Sequence, residues 1–183
     1  ITVEDPAEQV IPGIMQTEVC EARGLTFAAA ARHLLRQDPQ VLVLGEIRDE
    51  ETAGVAVRAA ATGHLMISTM HAGSCRGVWE RLAALHADTG AAVSALDLVW
   101  NQRLVRRYCA GCAGAGCGDC LGTGFKGRSP VAEWFRLDEA SRRELRQRGA
   151  DAIRPARSLE TAAEAKLARG ETSAGELERI LQR

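Results

Sequence analysis

Residues 41–49 read Val-Leu-Val-Leu-Gly-Glu-Ile-Arg-Asp. An apolar run ends in one acid, Glu46, followed at once by Arg48 and Asp49. The continuous run predicts a strand buried on both faces, as in a parallel sheet. A strand that delivers one carboxylate to its carboxyl end is how nucleotide-hydrolysing α/β proteins place a group near Mg²⁺ and the attacking water.

Two other short strand-like runs end in chemistry. Ile1 to Val3 leads into Glu4 and Asp5 before Pro6 stops it. Leu65 to Thr69 leads to His71, where an imidazole can hydrogen-bond a terminal phosphate. Glu4 and Asp5 can each reach Mg²⁺ or its waters. His64, in the turn before that strand, reads first as a residue that fixes the turn, and His33 and His86, on expected helices, carry no role. Three such strand ends point to one phosphate site. The matching glycine-rich loop, G-x-x-x-x-G-K-S/T, occurs nowhere in the chain.

Helix signals fill the intervals. Thr26 caps a helix through Leu35 to Gln37, and Pro39 stops it and biases Asp38 towards extended backbone. Asp49 caps a helix through Ala61, with Glu50 and Glu51 in the first turn, where the helix dipole favours acids, and Gly63 ends it. Ser74 opens a third helix, and another is expected from about Thr89 to Trp100. Leu104–Val105 and Val131–Arg136 read as short extended pieces. Asp138, Ser158 and Ser173 start three more helices. Strands alternating with helices predict an α/β fold with a largely parallel sheet.

The chain has 183 residues, enough for one ordinary domain and a small appendage, and its 46% apolar share supports a sizeable core. The net charge of −1 gives no support for nucleic acid or an anionic membrane as partner. The arginines at 103, 106 and 107, and at 142, 143, 146 and 148, read as solvated faces. No apolar run approaches the ~20 residues of a bilayer span, and no secretory leader is visible. The first residue is not Met, so the beginning is expected upstream.

Four of the six cysteines fall together as Cys109-x-x-Cys112 and Cys117-x-x-Cys120. Four thiolates are the number a closed, tetrahedral structural Zn²⁺ needs, and paired thiols in an ordinary domain favour a reduced compartment. Each pair is followed by x-G-x-G, glycines that let the backbone turn with φ > 0 and aim its amides at sulfur. Free thiols or two disulfides are the alternative. Cys20 and Cys75 read as small semi-buried residues.

The segments ITVEDP, GLTFAAAARHLLRQDP, VLVLGEIRDEETA and TGHLMISTMHAGS together resemble the secretion ATPases of type II secretion systems and type IV pilus assembly. Those proteins carry an Asp box, a Walker B segment and a His box in this order. QRLVRR, the paired cysteines, GFKGRSPVAEWF and GETSAGELERIL extend the likeness almost to the last residue. The resemblance implies a RecA-like P-loop NTPase core with its Walker A unit missing over residues 1–107. It implies a tetracysteine zinc knuckle over 108–127 and a carboxyl-terminal helical subdomain over 128–183. By position, Glu4 and Asp5 match the Asp box, Glu46 the catalytic Walker B glutamate, Arg48 the arginine after it, and His64 and His71 the His box. In the family, Mg-ATP binds at subunit interfaces of a ring hexamer. Hydrolysis there drives pilus or pseudopilus subunits through an inner-membrane platform protein, from the cytoplasmic face of the bacterial inner membrane.

The resemblance also has gaps. The family's Walker A loop lies upstream of the Asp box, and its amino-terminal domain lends arginines to a neighbour's nucleotide. Without either, this chain alone is expected to be inactive and to leave an apolar face in water. Gln40 stands where the family usually has an acid, HAGS replaces a His-Thr-Asn-Ser-like stretch, and only Ala113 to Gly116 separate the cysteine pairs where the family has a longer insertion. The tandem knuckle resembles that of cysteine-rich chaperones. A non-catalytic paralogue kept as a zinc-containing interaction module is the alternative reading. A conjugative or competence ATPase of the same superfamily is a third.

Overall fold

The computed structural model describes residues 1–86 and 88–181. It contains strands β1 (Thr2–Glu4), β2 (Gln16–Glu18), β3 (Val41–Leu44), β4 (Leu65–Ser68), β5 (Leu98–Tyr108) and β6 (Phe125–Arg136). Its helices are α1 (Phe27–Leu34), α2 (Glu50–Ala61), α3 (Cys75–Leu85), α4 (Thr89–Ala95), α5 (Glu139–Arg148), α6 (Leu159–Ala168) and α7 (Ala174–Leu181).

Two compact units emerge, and neither is contiguous in sequence. Of the described residues, the first comprises 1–72, 77–86, 88–97 and 137–152; the second comprises 73–76, 98–136 and 153–181. The expected boundaries after 107 and 127 fall inside β5 and β6. β5 and β6 pair antiparallel from Leu98↔Arg136 to Tyr108↔Phe125, so a cut at either position would split one ribbon. The expected carboxyl-terminal subdomain also divides: α5 belongs to the first unit. There Arg142 Nη2 donates to the Leu96 carbonyl at 3.0 Å and pairs with Asp97, while Arg146 reaches Ser94 Oγ at 2.9 Å. Arg142 is therefore a structural clamp rather than part of a solvated face.

In the first unit four strands run parallel in the order β2-β1-β3-β4. α1 and α2 lie against this sheet. Val3, Leu42 and Leu44 are buried completely, and small residues of the helices (Ala30, Ala31, Ala53) let the layers approach. The helix starts follow the sequence signals. Thr26 Oγ1 accepts from Ala29 N, and Asp49 from Thr52 N at 2.7 Å. Asp38 departs from expectation: it takes a left-handed φ of 50°, closing the turn after Leu35–Gln37, a conformation Asp tolerates.

β3 is not buried on both faces. Val41 is exposed and Val43 half-buried; the register pairs them with Leu65 and Ile67 of β4, both exposed. One sheet face is thus packed and the other is open and apolar, in line with the expected uncovered face. β4 forms one edge of the sheet.

In the second unit the ribbon alternates in burial. Val99, Asn101 and Val105 face inward, with Val131 and Glu133 of β6. Val105 and Val131 form a core with Leu159, Ala162 and Ala163 of α6 and Leu177 and Ile180 of α7. The helix expected to reach Trp100 instead stops at Ala95, because Leu98–Trp100 pairs with β6 and the Trp100 and Trp134 rings stack. Residues 109–124 form a knuckle between the two strands. No helix among the described residues is long and apolar enough to cross a membrane.

Candidate functional site

The parallel sheet brings the ends of β1, β3 and β4 together, because neighbouring parallel strands deliver their following loops to one edge. Gly45 makes the approach possible: its N–H donates to the Val3 carbonyl at 2.7 Å, and a Cβ there would meet that carbonyl oxygen at 3.1 Å and the Phe27 ring at 3.3 Å. The loops after β3 and β4 are then tied. Ile47 N donates to the Thr69 carbonyl at 3.0 Å and Thr69 Oγ1 to the Gly45 carbonyl at 2.6 Å.

Glu46 sits in the middle with its side chain 16% exposed. Arg48 Nη2 donates to Oε1 at 2.6 Å, and Arg48 Nη1 stands 3.6 Å from Asp5 Oδ2. His71 Nε2 lies 3.5 Å from Oε2, which accepts no hydrogen bond among the described residues. The Arg48 hydrogen bond holds the Glu46 carboxyl below its ordinary range against the opposing effect of burial, helped by the charges of Arg48, His71 and Arg81. Glu46 is therefore an ionised carboxylate with one oxygen fixed by Arg48 and the other buried without a hydrogen-bond partner among the described residues.

Among the residues named from sequence, the structure groups Asp5, Glu46, Arg48 and His71 and leaves two apart. Glu4 Oε1 accepts from Thr2 Oγ1 at 2.5 Å and Gln16 Nε2 at 2.9 Å, which lower its pKa and tie it to the start of β2. His64 lies at the other end of β4. Its Nδ1 is 3.2 Å from the Ala59 carbonyl and 3.3 Å from Thr62 Oγ1, so it locks the helix-to-strand turn. Thr69 and Arg81 were missed. A hydroxyl at a strand end was a readable signal for Thr69; Arg81, on α3, gave none.

The second candidate is the knuckle. The Sγ atoms of Cys109, Cys112, Cys117 and Cys120 all lie within 4.8 Å of one another. The separations 109–117, 112–120 and 117–120 are 3.9, 3.8 and 3.8 Å. A tetrahedron with Zn–S bonds of ~2.3 Å has sulfur–sulfur edges of ~3.8 Å, so the four thiols are spaced to hold a tetrahedral ion. They are too far apart for disulfides, and all are free. Amides point at the sulfurs: Gly116 N at Cys112 Sγ (3.2 Å), Cys117 N and Gly124 N at Cys120 Sγ (3.2 and 3.3 Å). Backbone donation lowers the Cys120 thiol to about 6. Cys75, by contrast, is wholly buried at the start of α3, and burial pushes its thiol up to about 12, which makes it inert packing.

Residues 1–179 match the family described as Type II/IV secretion system protein. Type II secretion system protein HxcR of Pseudomonas aeruginosa is 38% identical over 195 residues, covering 98% of this chain and 42% of that protein. Type IV pilus assembly ATPase PilB of Thermus thermophilus is 40% identical over 168 residues, covering 77% of this chain and 19% of that protein. Type II secretion system protein E of Klebsiella pneumoniae is 39% identical over 165 residues, 78% of this chain and 33% of that protein. The chain thus spans less than half the length of these curated relatives. In fold, it superposes on the ATPase DotB of Legionella pneumophila (TM-score 0.78, 24% identity, 98% of this chain and 50% of that one). It likewise superposes on the pilus retraction motor PilT with bound ADP (TM-score 0.78, 24% identity, 100% and 52%).

Proposed function

The chain belongs to the Type II/IV secretion system protein family, and on that premise we propose that it is the carboxyl-terminal part of the ATPase domain of a motor for type II protein secretion or type IV pilus assembly. The observation that carries this reading is the convergence of Asp5, Glu46, Arg48 and His71 at the carboxyl ends of adjacent parallel strands, with one Glu46 oxygen unpartnered.

Each residue is assigned a role here from its chemistry and its place at the strand ends. Glu46 accepts a hydrogen bond from the attacking water and orients it, as its ionised, Arg48-anchored carboxylate allows. Arg48 holds Glu46 and Asp5 in one array. Asp5, and Glu4 beside it on β1, offer carboxylates to the water shell of Mg²⁺. His71, exposed above Glu46, donates to a terminal phosphate, and His64 fixes the turn that leads into its strand. Mg-ATP, when bound, supplies the phosphoryl group and the counter-charge for these acids.

The phosphate-binding half of the site comes from residues upstream. The free edge of β4 and the apolar face of Val41, Leu65 and Ile67 are the natural seat for a further parallel strand and helix. A strand paired there would end beside Glu46 and His71. In this reading the chain is a RecA-like core without its Walker A unit, inactive alone and part of a ring hexamer in the longer protein. It works at the cytoplasmic face of the inner membrane with a platform protein and the cytoplasmic domains of its machine. The knuckle holds one structural zinc, and its sulfur spacing supports that assignment.

The test is ATP turnover by the full-length protein and by the 183-residue chain. Magnesium-dependent hydrolysis by the first and none above background by the second is expected. A full-length protein that binds no nucleotide contradicts the reading and leaves a zinc-containing interaction module.

A further inference from the structure

The four sulfurs of the knuckle are not equivalent, and their differences set an order of reactivity. Cys109 and Cys120 are 2% and 5% exposed, whereas Cys112 and Cys117 are half-buried. One sulfur of each C-x-x-C pair is therefore within reach of a small solute. Backbone amides divide the set differently. They donate to Cys112 (Gly116 N, 3.2 Å) and to Cys120 (Cys117 N and Gly124 N, 3.2 and 3.3 Å). A thiolate that accepts amide hydrogen bonds is stabilised by them and attacks an electrophile more slowly. Cys117 Sγ instead has two sulfurs as neighbours, Cys109 at 3.9 Å and Cys120 at 3.8 Å. Among the described residues, it is the accessible sulfur to which no amide donates.

The spacing decides what a reacted sulfur meets. Cys109 lies 3.9 Å from Cys117, and Cys112 lies 3.8 Å from Cys120. Closing either gap to the ~2.05 Å of a disulfide moves the sulfurs by less than ~2 Å, within the range of side-chain torsions. The two turns are already braced, because Cys109 N donates to the Gly124 carbonyl at 2.8 Å and Gly122 N to the Cys117 carbonyl at 2.9 Å. Cys120 competes with Cys109 for Cys117, but Cys120 is the sulfur that two amides hold. Cys109 is thus the better resolving thiolate. Its bridge to Cys117 leaves Cys112 and Cys120 to pair with each other.

Given the structural zinc assigned above, we propose that the knuckle is a peroxide-responsive modification site whose four thiolates convert to two crossed disulfides, Cys109–Cys117 and Cys112–Cys120. The Cys117 thiolate attacks one oxygen of hydrogen peroxide: an S–O bond forms, the O–O bond breaks and hydroxide leaves. The Cys109 thiolate then attacks the sulfenic sulfur, so that an S–S bond forms and a second hydroxide leaves. A second peroxide reacts in the same way at Cys112, with Cys120 resolving. Four thiolates lose four electrons, two peroxides gain them, and four hydroxides result. A disulfide sulfur has no negative charge to offer a cation, so each bridge removes two ligands and the site loses its metal. Cys20 and Cys75 lie outside the cluster and keep their thiols.

Zinc release and disulfide mapping on the 183-residue chain test this. The chain is purified reduced, its zinc is counted, and two equivalents of hydrogen peroxide are added in the presence of a chromogenic zinc chelator. The expected result is one zinc released per chain after peroxide and none before it. Mass spectrometry of alkylated peptides should show Cys109 joined to Cys117 and Cys112 to Cys120, with Cys20 and Cys75 alkylated as free thiols. Dithiothreitol with added zinc should restore the four thiols and the metal. Zinc retained under peroxide, bridges within each C-x-x-C pair, or irreversible oxidation to sulfinic acid overturns the proposal. A reduced chain that carries no zinc overturns the zinc assignment and the release with it, while the bridges mapped in that chain still decide the pairing.

Discussion

The imidazole of His71 stands over the free oxygen of Glu46, Nε2 to Oε2 at 3.5 Å, while Arg48 holds the other oxygen at 2.6 Å. One carboxylate oxygen is thereby fixed by a cation, while the other is buried beside an exposed histidine and has no hydrogen-bond partner among the described residues. The contact to His71 is long for a hydrogen bond, so the acceptor capacity of this buried oxygen is unused. Two parallel strands, tied through Thr69 and Gly45, hold the two residues at this separation.

Among the described residues, Glu133 is one of two buried acids in the second unit. Its Oε1 accepts from Cys75 N at 2.8 Å and Asn101 Nδ2 at 3.1 Å, and its Oε2 from Leu159 N at 3.4 Å, so it meets the amino ends of both α3 and α6. Glu133→Ala strands these buried donors and should lose ~3 kcal/mol of stability in urea unfolding. Glu133→Gln, which keeps an acceptor, should lose less. Equal loss in both would remove the role of the acceptor.

Glu176 gives a pH signature. Arg179 and Arg106 hold its buried side chain, at 2.9 and 2.6 Å, and depress its carboxyl from 4.5 to about 2. The folded pKa is lowered, so this stabilisation is complete above the unfolded value and lost as pH falls from 4.5 towards about 2. Thermal melts of wild type and Glu176→Gln should differ at pH 6 and converge on acidification through that window. A constant difference would show that Glu176 is not the group being titrated.

Zinc should bind one to one. Cys117→Ser with Cys120→Ser removes two of the four thiolates and should lose the metal, measured by elemental analysis, and lower the melting temperature of the second unit. Full zinc content in that variant would place the ion elsewhere.

The knuckle's glycines are a sterically sharp case. A Cβ at Gly116 would meet the Gly122 carbonyl oxygen at 2.7 Å, and one at Gly124 the Gly114 oxygen at 2.4 Å, both at positive φ. Gly127 also has positive φ but open space. Gly116→Ala and Gly124→Ala should each weaken zinc retention against a chelator at least ~10-fold, whereas Gly127→Ala should cost about 1 kcal/mol of stability and leave the metal in place. Equal zinc loss in all three would reduce the effect to backbone strain.

Much of this was readable beforehand where a local rule governs. Asp49, Asp138 and Ser158 each accept a hydrogen bond from the amide three residues on, as capping chemistry dictates. The placement of Glu46, Asp5 and His71 followed from strand ends alone, and the cysteine cluster from its spacing. Long-range pairing was not readable. The eleven residues of β5 look like a helix end, a charged run and a short strand until β6 lies beside them and Trp100 meets Trp134. α5 sits with the first unit because Arg142 reaches Leu96 and Asp97, a contact no periodicity encodes. Glu4 and His64 matched a motif by position, yet their hydrogen bonds go to Thr2, Gln16, Thr62 and Ala59 rather than to the Glu46 array.

The most direct test is steady-state ATP hydrolysis by full-length protein carrying Glu46→Gln, with nucleotide binding measured on the same preparation. The account predicts retained Mg-ATP binding and turnover reduced ~10²-fold or more, the effect of losing a water-orienting carboxylate. Turnover equal to wild type would contradict it.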